Sequence, residues 1–164
     1  MQKIIPFIWY DTQAEEAARF YVSVFKAAGR KGCKIGTVTR YSDEGAAASG
    51  RPKGSVMTVT FRLDGQDFMA INGGPIFKLS EAFSLMVNCT TQKEIDILWD
   101  RLSEGGGPVE CGWLKDKFGL SWQIVPAILS KYFADPAKTK RAMQAVLQMK
   151  KLDIKQIKKA VEQK

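Results

Sequence analysis

Apolar residues run almost unbroken through positions 3–10, which include Ile4, Ile5, Phe7, Ile8, Trp9 and Tyr10. This is the pattern of a buried strand, and Asp11-Thr12 ends it. Ala14, Ala17, Ala18, Tyr21, Val22 and Phe25 then recur at helical spacing and predict a helix to about Phe25. Thr12-Gln13-Ala14-Glu15 ahead of that stripe reads as a capping box, with Thr12 accepting from an amide three residues on and Glu15 reaching back. Residues 29–32 form a loop, 34–41 alternate as a strand, and 42–54 are small, polar and glycine-bearing, the composition of a flexible hairpin loop. Strands over 55–63 and 67–72 flank Asp64-Gly65, a strong hairpin-turn signal.

After Gly73-Gly74-Pro75 the pattern starts again. Residues 83–89 read as a strand, Thr91-Gln92-Lys93-Glu94 as a second capping box, and Ile95, Ile97, Leu98 and Leu102 as a helical stripe that stops at Gly105-Gly106-Gly107-Pro108. Strands over 109–115 and 120–125 surround an Asp116-Lys117-Phe118-Gly119 turn. A shift of 79 residues lays Thr12 on Thr91, Glu15 on Glu94 and Phe7-Ile8-Trp9 on Met86-Val87-Asn88. The order of elements repeats with it, so the chain is an internal duplication of a βαβββ unit. The expected fold is α+β: two paired βαβββ modules, about 1–75 and 76–126, forming a half-open barrel around a cleft. Beyond Pro126 the period turns helical, giving a C-terminal extension over 127–164. It holds a short helix over 127–134, one opened by Pro136 with Met143, Val146 and Leu147 on its apolar face, and one with Ile154, Ile157 and Val161 inward, capped by Asp153 with Gln156.

Composition adds two facts to this picture. The 164 residues carry a formal charge of +8 and no histidine. Without imidazole there is no Ser-His-Asp triad, no H-E-x-x-H zinc site and no facial triad. The charge is uneven: residues 135–164 hold nine of the 25 basic side chains against three acidic ones, and the remainder is nearly neutral. Three widely spaced cysteines, Cys33, Cys89 and Cys111, form no C-x-x-C pair, which argues against a disulfide framework or zinc knuckle. The N-terminal apolar run is too short for a signal peptide, and no stretch approaches 18 apolar residues, so no membrane span is expected and a reducing cytoplasm is the expected compartment.

Phe20-Tyr21 late in the first helix, together with the paired units, resembles the vicinal oxygen chelate superfamily of glyoxalase I, extradiol dioxygenases and bleomycin resistance proteins. Asn72-Gly73-Gly74-Pro75, Ser84-Leu85-Met86-Val87-Asn88-Cys89, the block from Cys111-Gly112-Trp113 through Phe118-Gly119, and Trp122-Gln123-Ile124-Val125-Pro126 are similar to its PhnB-like branch, often labelled demethylubiquinone methyltransferase-like. The resemblance implies a homodimer and a small-molecule ligand in the cleft. It also places the superfamily's metal positions near Pro6, Asn72, Ser84 and on Gln123. Pro6 has no side-chain donor and the other three are neutral, whereas transition metals favour imidazole, thiolate or carboxylate. A metal-free cleft follows as the expectation, with no cofactor. The methyltransferase label lacks its own signal, because no glycine-rich turn opens a helix after the first strand.

Gln123, Asn72 and Ser84 are therefore the candidate polar floor of a ligand cleft, with satisfaction of barrel-interior backbone groups as the alternative. Trp9 and Trp113 are candidate stacking surfaces. Trp122 faces opposite to Gln123 by strand alternation and reads as core. Cys111 and Cys89 read as packing residues, Glu15 and Glu94 as caps, and Asp116 as a turn residue. The basic tail has one arginine, Arg141, and no aromatic residue after Phe133, which weighs against nucleic-acid and membrane contact. Amphipathic helices packed on the body or on a second subunit, with their lysines solvated, are the expected use of it. An interaction protein holding nucleic acid or another acidic partner through that tail is the alternative function.

Overall fold

The computed structural model describes residues 2–162. The chain forms two compact units, Met1–Leu79 and Ser80–Lys164.

The first unit runs β1 (Phe7–Tyr10), α1 (Ala14–Ala27), β2 (Lys34–Arg40), α2 (Asp43–Ser49), β3 (Val56–Leu63) and β4 (Gln66–Asn72). Its sheet has the order β1-β4-β3-β2, with β1 parallel to β4 and the other pairs antiparallel. Ala17, Ala18, Tyr21, Val22 and Phe25 of α1 are buried, as are Ile8, Tyr10, Val59, Phe61, Phe68 and Ala70 of the sheet. The small alanines let the helix sit close to the strands, and the large side chains fill the layer between. Each fully buried large side chain contributes ~1.5–3 kcal/mol. The Phe61 and Phe68 rings stack at 5.2 Å, and the Tyr10 and Tyr21 hydroxyls meet at 2.9 Å.

Asp64 and Gly65 both take positive φ, 51° and 83°, as a two-residue hairpin turn requires. The expected flexible loop over 42–54 is instead largely helical. Ser42 accepts the Gly45 amide at 3.2 Å, Asp43 and Glu44 occupy the first turn, and Gly50 closes the helix at φ 68°. No residue of α2 is buried, so hydrophobic spacing could not reveal it.

The second unit runs β5 (Ser84–Cys89), α3 (Gln92–Ser103), β6 (Gly107–Pro108), β7 (Trp113–Lys115), β8 (Ser121–Pro126), α4 (Ile128–Phe133), α5 (Pro136–Val146) and α6 (Ile154–Glu162). Its sheet order, β5-β8-β7-β6, repeats that of the first unit strand for strand, with the first and last strands again parallel. The two units are copies of one βαβββ plan, as the 79-residue shift predicts.

The expected strand over 109–115 is broken. Cys111 and Gly112 adopt φ of 59° and 84°, and their amides donate to Met149 and Lys150 carbonyls at 2.7 Å each. Only Trp113–Lys115 remains in the ladder, because the backbone upstream is bound by the C-terminal segment. The turn that follows is organised by Asp116, which is 3% exposed. Its carboxylate accepts the Phe118 and Leu120 amides at 2.8 and 3.0 Å and the Trp122 indole N–H at 2.8 Å. Trp122 is buried, as alternation predicts.

The C-terminal helices belong to the core of this unit. Leu129, Ala142, Val146, Leu152, Ile157 and Val161 form one apolar cluster, against which Cys111, Val125 and Met149 pack. Asp135 caps α5 through the Ala137 and Lys138 amides, and Asp153 accepts the Gln156 amide at 2.8 Å. The buried face of α5 differs from the expected one. Ala142 and Val146, one helical turn apart, point inward to the cluster, while Met143 and Leu147 are exposed. Gln92 ties the tail to α3: its amide donates to the Leu152 carbonyl at 3.1 Å and accepts from the Ile154 amide at 2.9 Å. Lys151 adds ion pairs to Asp96 at 3.1 Å and Asp100 at 3.3 Å. Among the described residues no helix is long and apolar enough to cross a membrane.

Candidate functional site

Each sheet has one face under α1 or α3 and one turned away from that helix, and in the second unit the C-terminal helices cover the Val125 end of the latter. In the second unit Val87, Leu114, Trp122 and Ile124 are buried on the helix side with Ile95, Leu98 and Leu102 of α3. Alternation therefore turns Ser84, Met86, Trp113, Lys115, Ser121 and Gln123 to the other face. The register lines them in two rows: Met86, Gln123 and Trp113 across β5-β8-β7, and Ser84, Ser121 and Lys115 beside them.

Gln123 is the polar centre of this face. Its side-chain amide donates to Ser84 Oγ at 2.9 Å. The Gln123 carbonyl oxygen and the Ser84 hydroxyl proton both remain available, an acceptor and a donor side by side. Met86 is 57% exposed and Trp113 half-buried, so the polar pair lies between two apolar walls. Lys115 donates to Glu81 at 2.5 Å, and that hydrogen bond holds the Glu81 carboxyl below its ordinary pKa. Ser121 Oγ is buried and has no hydrogen-bond partner among the described residues. Met86, Ser121 and Lys115 were not among the residues singled out from sequence. The alternation that assigns Trp122 to the core also assigns positions 121, 123 and 125 to the opposite face, so the signal was present.

Of the expected site residues, the fold brings Gln123, Ser84 and Trp113 together on one surface. Trp9 belongs to the first unit. It lies on that sheet's face turned away from α1, paired with Ile71, and is fastened to the Gly73-Gly74-Pro75 loop. Its indole N–H donates to the Gly74 carbonyl at 2.8 Å, and its ring meets Phe77 edge-on at 5.0 Å. A Cβ at Gly73 would run into the indole ring, so only glycine fits there.

Asn72 is engaged elsewhere. It is 6% exposed and lies on the α1 side of its sheet, paired with Tyr10. Its Oδ1 accepts the Ala14 amide at 2.7 Å, and its Nδ2 donates to the Val56 carbonyl at 3.1 Å. Both polar ends of the side chain are thus committed to backbone, the alternative reading of this residue. The same contact replaces the first capping box. Gln13, not Thr12, is the N-cap and makes no side-chain cap, and Glu15 pairs with Arg19 at 2.6 Å instead. The second box forms as expected, with Thr91 accepting the Glu94 amide and Glu94 accepting the Thr91 amide.

The register also moves the duplicated positions. Phe7 lies opposite Met69 as Met86 lies opposite Gln123. With the 79-residue shift, the first-unit counterparts of Gln123 and Ser84 are Met69 and Ile5, not Asn72 and Pro6. Those two line a depression of about 250 Å³ with Lys34, Thr60, Arg62 and Asp67. Arg62 and Asp67 close a two-pronged ion pair there at 2.5 and 3.0 Å. Neither Met69 nor Ile5 offers an oxygen or nitrogen donor. Among the described residues no group of three or more His, Cys, Asp or Glu is arranged to hold a metal ion. Cys89 is fully buried, and Cys111 is half-buried against the tail.

Comparison with known proteins bears on residues 2–125, which match the family described as 3-demethylubiquinone-9 3-methyltransferase. A PhnB protein from Bacillus cereus, described by the same activity, is 34% identical, with a TM-score of 0.66 over 77% of this chain and 100% of its own. A crystal structure from Pseudomonas aeruginosa is 20% identical, with a TM-score of 0.58 over 74% of this chain and 95% of its own, a likeness of fold. No curated protein matches the chain.

Proposed function

The chain belongs to the PhnB-like family described as 3-demethylubiquinone-9 3-methyltransferase, and from that premise we propose that it is a metal-independent small-molecule-binding protein. The reading rests on one observation above the others: the Gln123–Ser84 pair at 2.9 Å on the sheet face turned away from α3, bordered by Trp113 and Met86. A ligand with a hydrogen-bond donor beside an acceptor matches the Gln123 carbonyl and the Ser84 hydroxyl. A flat apolar body matches Trp113. Trp9 is the candidate stacking aromatic of the first unit, on β1 rather than at the position that matches Trp113. The vicinal oxygen chelate resemblance supplies the rest of the proposal, a homodimer in the cytoplasm.

Metal independence is argued from the donors. Ser84 and Gln123 are neutral, and their counterparts Ile5 and Met69 are aliphatic and thioether. Without charge neutralisation such a set binds zinc, nickel, iron or manganese weakly. The family's methyltransferase description calls for a methyl-donor cofactor, and the residues do not fit a Rossmann-type site for one. The turn from β1 to α1 is Asp11-Thr12-Gln13 and that from β5 to α3 is Thr90-Thr91, both without glycine. One first-turn amide of each helix is already engaged, that of Ala14 by Asn72 and that of Glu94 by Thr91. We derive no methyl transfer through this chain.

A thermal-shift screen of small molecules tests the reading, since a ligand bound to the native state raises the melting temperature. Gln123→Ala is expected to abolish the shift given by the best hit while leaving the ligand-free melting temperature nearly unchanged. An unaltered shift places the ligand elsewhere. Stoichiometric metal in chelator-washed protein would sink the metal-free part of the proposal separately.

A further inference from the structure

The second unit carries a groove that shares no lining residue with the Gln123–Ser84 site. Two contiguous cavities form it, of about 930 and 220 Å³, sharing Thr90, Ile154 and Lys158. The groove crosses the C-terminal ends of the parallel strands β5 and β8, with α6 on one side and α4 on the other. Pro126, Ala127, Ile128 and Ile154 give it apolar lining, and Lys131, Lys155, Lys158 and Lys159 stand around it.

The positive charges outnumber the negative ones, four lysines against Asp153 and Glu162. None of these four lysines has a carboxylate partner among the described residues, whereas Lys151 and Lys115 do. The acidic side chains nearby are few. Asp153 is engaged with the Gln156 amide, and Glu94 holds the Thr90 and Thr91 amides at 2.7 and 3.1 Å. Glu162 lies at one end of the groove. Apolar floor beneath unpaired ammonium groups is the recognition pattern of an organic anion with a hydrophobic body. The body displaces water from Ile154 and Ile128, and the head group relieves the repulsion among the lysines. The family match ends at residue 125, before α4 and α6, so the walls come from this chain's own extension.

We propose that this groove is a second binding site, for a small amphiphilic carboxylate. The test is an amide NMR titration of the full chain with octanoate, and with 1-octanol and acetate at the same concentrations. Saturable shifts centred on Thr90, Thr91, Ile154 and Lys158 are expected with octanoate, and markedly weaker ones with the alcohol or the short acid. Lys158 and Lys155 are exposed, so reversing their charge leaves the fold intact. Lys158→Glu is expected to weaken octanoate about fivefold or more, as is Lys155→Glu, whereas Lys78→Glu, the same charge change in the other unit, leaves it within about twofold. Gln123→Ala leaves octanoate binding unchanged, which keeps this site distinguishable from the sheet-face site. The proposal is overturned by the absence of saturable shifts, by shifts confined to Met86, Trp113 and Gln123, by equal binding of 1-octanol or acetate, or by indifference to both charge reversals.

Discussion

Asn72 and Gln123 carry the same carboxamide, and both end up half or fully buried on the last strand of a βαβββ unit. Asn72 lies under α1 with its oxygen on the Ala14 amide and its nitrogen on the Val56 carbonyl. Gln123 lies on the face turned away from α3, with its nitrogen on Ser84 and its carbonyl oxygen unengaged among the described residues. The difference is one of strand parity: a single-residue step along the strand moves a side chain to the other face. The two residues should therefore respond oppositely to truncation. Asn72→Ala leaves a buried donor and a buried acceptor unpaired and is expected to cost about 2–3 kcal/mol of stability in urea unfolding, with Asn72→Asp recovering part of it through the Ala14 contact. Gln123→Ala should cost far less stability and lose the ligand. If Asn72→Ala unfolds at the wild-type urea concentration, its side chain is not the support for α1 described above.

The two capping sequences make the same point one level up. Thr12-Gln13-Ala14-Glu15 and Thr91-Gln92-Lys93-Glu94 are nearly the same word, and local chemistry alone cannot separate them. In α3 the box closes on itself. In α1 a side chain from β4, 58 residues away, takes the first amide, which leaves Glu15 to pair with Arg19. Thr91→Ala is expected to lower stability by about 1 kcal/mol and Thr12→Ala by a few tenths at most, a contrast that paired thermal melts would resolve. Elements with a buried stripe, such as α1, α3 and α6, were legible from spacing. α2 was not, because it buries nothing and is held by its caps. The break at Cys111-Gly112 was not either, since the partners of those amides, Met149 and Lys150, lie about 38 residues downstream.

On the scale of the whole chain, the +8 charge and the missing histidine have separate consequences. The charge belongs largely to the C-terminal helices, which are built into the second unit by Leu129, Leu152, Ile157 and Val161. Ending the chain at Pro126 uncovers Val125 and Cys111 and removes that whole cluster. It is expected to cost more than about 5 kcal/mol, comparable to the total stability of a domain, and to abolish cooperative melting of the second unit. A truncated chain that melts like the full one would show the helices to be an appendage. The absent histidine removes imidazole from every site on the molecule, and this needed no structure. Composition, hydrophobic period and the 79-residue repeat likewise determined the α+β class, the two-fold βαβββ plan and the helical extension, because those follow from residue identity and local spacing. Tertiary structure alone decided which of two similar capping sequences forms, where β7 begins, and that Met69 and Ile5 stand where Gln123 and Ser84 stand in the second copy. Register and long-range backbone hydrogen bonds set those outcomes, and neither is a property of any short stretch of chain.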